Sequence, residues 1–149
     1  MEMNILLAYV GIALVAGGSF VASAIAVSIC GRTVIGAMKK RPESFGTYLI
    51  LSALPASQGI YGLVGFFLLQ PFLTPDVTIL QASAIFGVGL VMAVAGIFAS
   101  IGQAKICANG IEATASGHNV TGNTMIMAVF PELFGIFSLL VTVLVSFAI

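Results

Sequence analysis

The placement of charge constrains this chain more than any other feature. Its five Lys or Arg and five Asp or Glu are Glu2, Arg32, Lys39, Lys40, Arg41, Glu43, Asp76, Lys105, Glu112 and Glu132, and they divide the sequence into four long stretches. Met3 to Gly31, Ser44 to Pro75 and Val77 to Ala104 hold no charged residue, and Thr124 to Ile149 holds only Glu132. Each exceeds the roughly 20 residues that an α-helix needs to cross a bilayer, whereas membrane β-strands are about half as long. With 60% hydrophobic and 7% charged residues among 149, the chain carries more apolar surface than a soluble domain of this size can hide. The expected fold is an all-α membrane protein with four transmembrane helices. No basic segment precedes the first stretch and no polar domain follows it, so it is expected to stay as a span and not to be cleaved as a signal.

A net charge of zero, with no basic cluster interleaved with aromatics, excludes nucleic-acid binding. Cys30 and Cys107 are too few, and too apolar in setting, for a disulfide framework or a zinc site. They read as packing residues, and His118 as a solvated loop residue.

Four of the five basic residues lie in the segment Arg32 to Glu43, and the fifth, Lys105, lies near the end of span 3 that leads to the segment Ser116 to Asn123, so all five are on one side. The positive-inside rule makes loops 32–43 and 116–123 cytoplasmic, leaves both termini outside the cell membrane, and makes the Gln70 to Asp76 turn external. Ile29-Cys30 recurs as Ile106-Cys107, and Pro55-x-x-x-Gly59-Ile60-Tyr61 recurs as Pro131-x-x-x-Gly135-Ile136-Phe137. These offsets of 77 and 76 residues indicate tandem duplicated helical hairpins of the same topology, with residues 1–73 as the first and 77–149 as the second. Ala56 then stands in the first hairpin where Glu132 stands in the second. Spans 1 and 3 are rich in Gly, Ala and Ser, so backbones can approach closely there, while spans 2 and 4 carry bulky Phe and Leu. Packing alone leaves two arrangements equally open, an inner and outer ring of helices or an ordinary four-helix bundle.

Depth follows from the turn between spans 3 and 4. Gln103 and Glu132 are equally far from its centre at Gly117 and His118, each roughly 14 residues or about 20 Å along its helix, which is near mid-bilayer. An ionised acid there costs several kcal/mol and needs a partner, a proton or a cation. No Lys or Arg reaches that depth. Neutral oxygen does: Gln103 on span 3, and Leu54, Ser57, Gln58 and Tyr61 on one face of span 2. One carboxylate among amide, hydroxyl and carbonyl oxygens suits a monovalent hard cation, with Na⁺ the natural candidate, better than Zn²⁺. Pro55 and Pro131 are expected to kink spans 2 and 4 and to free the carbonyls of Leu51 and Met127.

Leu54-Pro55-Ala56-Ser57-Gln58-Gly59-Ile60-Tyr61-Gly62, with Gln103 and Glu132, closely resembles the proteolipid (c, or K) subunits of bacterial V-type ATPases over essentially the whole chain. The family's sodium-site pattern carries Thr where Ser57 stands, and Pro131 before the acid is a second departure. The resemblance implies a closed homo-oligomeric rotor ring in the lipid bilayer. It also implies Na⁺ held by Glu132, Gln103, Gln58, the Ser57 hydroxyl and the Leu54 carbonyl, with Tyr61 bonded to Glu132. A stator membrane subunit with half-channels and a central-stalk subunit at the cytoplasmic loops are the implied partners. The chain itself would be a non-catalytic, ion-translocating subunit of an ATP-hydrolysing complex. Two readings compete with it. One is a ring in which Glu132 carries H⁺. The other is a small multidrug exporter, a class that usually places its acid in the first helix among aromatics that include Trp, and this chain has neither.

Overall fold

The computed structural model describes residues 2–149. Four helices long and apolar enough to cross a membrane make up nearly all of it: α1 (Met3–Ala37), α2 (Pro42–Phe72), α3 (Ile79–Ala115) and α4 (Thr121–Ala148). They form two tandem hairpins, α1–α2 and α3–α4, in an integral membrane fold. At 37 residues, α3 is about 55 Å long against a hydrocarbon layer of about 30 Å. The helices therefore outrun the charge-free stretches: α1 continues past Gly31 to Ala37, and α3 past Ala104 to Ala115. Arg32, Lys105 and Glu112, expected at span ends or in loops, are helical. Loss of apolar character marks where a helix leaves lipid, but not where its backbone hydrogen bonding stops.

The connections are correspondingly short. A Cβ on Gly117, the single described residue with φ in the left-handed region at 96°, would lie 3.9 Å from the Arg41 guanidinium, so the two hairpin loops sit side by side. Gly117 closes the C-terminus of α3, where a left-handed residue lets the last amides turn back on the helix. At the other end, Thr78 and Gln81 form a capping box for α3, Asn4 donates to the Val77 carbonyl at 3.3 Å, and the Gln81 amide donates to Ile149 at 2.9 Å.

α1 and α3 lie side by side with α2 on α1, α4 on α3, and α2 touching α4. Small residues set that order. A Cβ on Gly11 of α1 would fall 2.6 Å from the Phe86 nitrogen of α3, so only glycine admits the crossing. Buried residues recur every three or four positions along α1, from Ala8, Ile12 and Val15 through Ala22, Ala26 and Cys30 to Val34 and Ala37. Two apolar cores result. One holds Cys30, Tyr48, Leu51, Cys107 and Ile111 near the hairpin loops, and the other holds Ala8, Leu69, Ile85 and Met92 near the opposite end. Between them lies a belt of buried polar residues, Ser19, Gln58, Ser100 and Gln103.

Phe98 is 75% and Phe147 83% exposed, a surface that only lipid or a partner can cover.

Candidate ion-binding site

Two prolines at equivalent positions of the two hairpins do different things. In α2 the chain tightens to a 3₁₀ turn at Leu54–Ala56 between the α-helical segments Phe45–Ala53 and Ser57–Leu69. The cause is Ser23 of α1. Its hydroxyl accepts from the Gly59 N–H at 2.7 Å and donates toward the Pro55 and Ala56 carbonyls at 3.2 Å each, so it inserts into the ladder where a helical bond would join Gly59 to Pro55. In α4, Pro131 lies inside an uninterrupted α-helix with no 3₁₀ turn. Ser100 is the counterpart of Ser23, as Ala22-Ser23 recurs in Ala99-Ser100. Its buried hydroxyl has no partner.

The 3₁₀ turn also sets the partners of the Leu54 carbonyl. The proline rule points to Leu51, but Leu51 is buried in the apolar core near the loops. The Leu54 carbonyl receives the Ser57 N–H and the Ser57 hydroxyl at 3.0 Å. An open-sided cavity of about 360 Å³ is lined by Leu54, Ser57, Gln103 and Glu132.

Glu132 of α4 is held by three side chains of α2. The Ser57 hydroxyl donates to its Oε2 at 2.8 Å, Gln58 Nε2 reaches the same oxygen at 3.5 Å, and the Tyr61 hydroxyl donates to Oε1. The Ser57 proton lies within reach of both Glu132 and Leu54 and serves one at a time. Gln103 is 3% exposed; its Nε2 donates to the Ala128 carbonyl of α4 at 3.1 Å, and its Oε1 is buried without any hydrogen-bond partner. Among the described residues the single ion pair is Arg41–Glu43, so no Lys or Arg among them neutralises Glu132.

All six residues singled out from the sequence therefore converge, but not in one role. Glu132, Ser57, Leu54 and Gln103 face the cavity, while Gln58 and Tyr61 brace the carboxylate and do not line it. Gln58 turns its nitrogen, not its oxygen, to Glu132. Buried unpaired acceptors are rare because losing water costs about 1–3 kcal/mol, and Gln103, which carries one, lines the same cavity as Glu132. Hydroxyl, carbonyl, amide and carboxylate oxygens suit a small hard cation, and no sulfur or imidazole takes part. Sequence reasoning does not single out Ser23 and Ser100; their one signal is the Ala-Ser pair repeated at the same offset as the cysteines.

The sequence model of the family described as the ATP synthase C subunit matches residues 10–69 and 86–145, two copies offset by 76 residues. The A-type ATP synthase subunit K of Methanocaldococcus jannaschii is 34% identical over 141 residues, which is 94% of this chain and 61% of that protein. The V-type sodium ATPase subunit K of Enterococcus hirae is 32% identical over 126 residues, 85% of this chain and 81% of that protein. The chain thus spans less than two thirds of the archaeal relative's length.

Proposed function

The chain belongs to the ATP synthase C-subunit family as a duplicated proteolipid of the V/A type, and on that premise we propose that it is the ion-carrying unit of a membrane rotor ring whose cargo is Na⁺. The observation that carries this reading is one cavity lined by an acid without a cationic partner among the described residues and by Gln103, whose buried Oε1 lacks a hydrogen-bond partner among them. A monovalent cation between them would neutralise Glu132 and satisfy the buried amide together. The relative named as a sodium ATPase subunit supports the ion.

Each residue then has a task. Glu132 supplies the single negative charge. Ser57, Gln58 and Tyr61 hold the carboxylate by donation, which keeps Oε2 beside the Ser57 oxygen and fixes one binding geometry. Ser57 Oγ, the Leu54 carbonyl and Gln103 Oε1 present lone pairs to the cargo. Gln58 joins them as a ligand if its terminal amide turns over. A loaded site is neutral and can face lipid, whereas an empty charged one cannot, since a bare carboxylate at that depth costs several kcal/mol. Rotation past a stator subunit with two half-channels would let Glu132 load from one side and discharge to the other, with ATP hydrolysis in a soluble head driving the ring through a central stalk at the hairpin loops. The chain binds no nucleotide in this scheme and is not itself catalytic.

Because Ala56 stands in the equivalent place of the first hairpin, each copy carries one ion. Fewer ions per ATP means a steeper gradient can be overcome, which suits a pump. With Lys39, Lys40 and Arg41 in the first hairpin loop, the loop end of the molecule is cytoplasmic and both termini are outside.

Carbodiimide modification of Glu132 tests the cargo, because the reagent attacks protonated carboxyls in apolar surroundings. Na⁺ is expected to protect Glu132, with more Na⁺ required as pH falls and H⁺ competes. Labelling indifferent to Na⁺ at every pH would make this a proton ring.

A further inference from the structure

Gln58 is a polar side chain buried between the hairpins, at 2% exposure, and it enters a slot that one residue of α4 leaves open. A Cβ built on Gly135 would lie 2.5 Å from the Gln58 carboxamide carbon and closer still to its nitrogen and oxygen. No other described glycine is filled this way by a residue bonded to Glu132. On the far side Gln58 Oε1 is 4.0 Å from where a Cβ on Gly96 of α3 would stand, an ordinary contact. The first hairpin shows the same glycine in a different use. A Cβ on Gly59 would meet the Ser23 hydroxyl at 3.2 Å, so there a serine of the same hairpin fills the slot. In the second hairpin Gln58 has taken it, and Ser100, the counterpart of Ser23, is left unpartnered.

We propose that Gly135 is a positioning residue for cation selection: its missing side chain lets Gln58 lie across α4 and hold the Glu132 carboxylate. This rests on the cargo reading above. The atoms a Cβ would displace belong to the end of a flexible side chain, so a methyl at position 135 moves Gln58 while the helix crossing survives. The carboxylate then keeps Ser57 and Tyr61 but loses its third donor, and with it part of the geometry that keeps Oε2 in the cavity.

The test uses the assembled ring with Gly135→Ala, Gly96→Ala, Gln58→Ala and the double variant Gln58→Ala/Gly135→Ala. Gly135→Ala is expected to raise the Na⁺ concentration for half-protection of Glu132 from carbodiimide by about tenfold, the scale of one hydrogen bond to a charged group, with ring mass unchanged. Gly96→Ala is expected to behave as wild type. In the Gln58→Ala background, Gly135→Ala is expected to add less than about twofold, because both changes act through one side chain. An electron-microscopy map of the Gly135→Ala ring should show Gln58 turned away from α4. Unchanged half-protection in Gly135→Ala, or full additivity in the double variant, overturns the proposal. If the wild-type ring shows no Na⁺ protection, the cargo reading fails instead, and the map still decides whether Gly135 places Gln58. A Gln58 that stays on Glu132 beside Ala at 135 overturns the inference in either case.

Discussion

Glu132 and Ala56 are the same position in two copies of one hairpin, and the proposed function makes the first a carrier and the second a spacer. Glu132→Gln keeps the shape and two-sided hydrogen bonding of the side chain but removes its charge, so ion transport is expected to be abolished while the ring still assembles. Ala56→Ser changes the matching position of the other hairpin and should leave transport largely unchanged; ATP-driven ion uptake into vesicles distinguishes the two. Equal loss in both would mean that Glu132 only packs. Around the acid, Gln103→Ala and Ser57→Ala are each expected to raise the Na⁺ needed for half-protection roughly tenfold, since each removes one oxygen from the proposed ligand set. Ring mass should not change with either.

One sequence rule can have different outcomes in an element and in its twin. Pro55 and Pro131 both lack an N–H and both should disturb a helix, yet α2 tightens at Leu54–Ala56 and α4 runs through. The deciding group lies on another helix: Ser23 intercepts the Gly59 N–H, and Ser100 does nothing comparable. Removing each hydroxyl should therefore have unequal effects. Ser23→Ala removes the hydroxyl that pairs with the Gly59 N–H and the Pro55 and Ala56 carbonyls, so α2 has to close the Gly59–Pro55 bond in its place, and the net loss is expected to be about 1 kcal/mol, seen as an earlier thermal transition of the ring by circular dichroism. Ser100→Ala deletes an unpartnered hydroxyl and should leave that transition in place or raise it slightly. A larger loss from Ser100→Ala than from Ser23→Ala would show that the unpartnered group has a partner in the working ring.

Seen whole, the molecule has small-residue helices at its centre and large apolar side chains over the rest of its surface. Phe98 and Phe134 line an apolar groove on the side of α3 and α4, and Gly102 and Pro131 form its floor. A single copy would leave that groove and the cation cavity open to lipid. Extraction in mild detergent is expected to yield one closed ring of several copies, its mass an integral multiple of 15.3 kDa; a monomer or dimer under those conditions would favour the exporter reading.

Much of this is local in origin. Charge spacing alone delimits four spans, because an unpaired charge in lipid is costly wherever it falls. The Cys and Pro motifs reveal the duplication, since copies share an offset. Equal distance from one turn places Gln103 level with Glu132, for helices rise by a constant step. What the chain could not disclose one residue at a time are the contacts between helices. That Ser23 intercepts the Gly59 N–H while Ser100 has no such partner, that Leu54 and not Leu51 lines the cavity with Glu132, and that Gly135 makes room for Gln58 all depend on which side chain meets which backbone across a crossing. Periodicity tells which face of a helix is buried, but not its neighbour's register. At separations where one methyl fills a slot, that register decides the site.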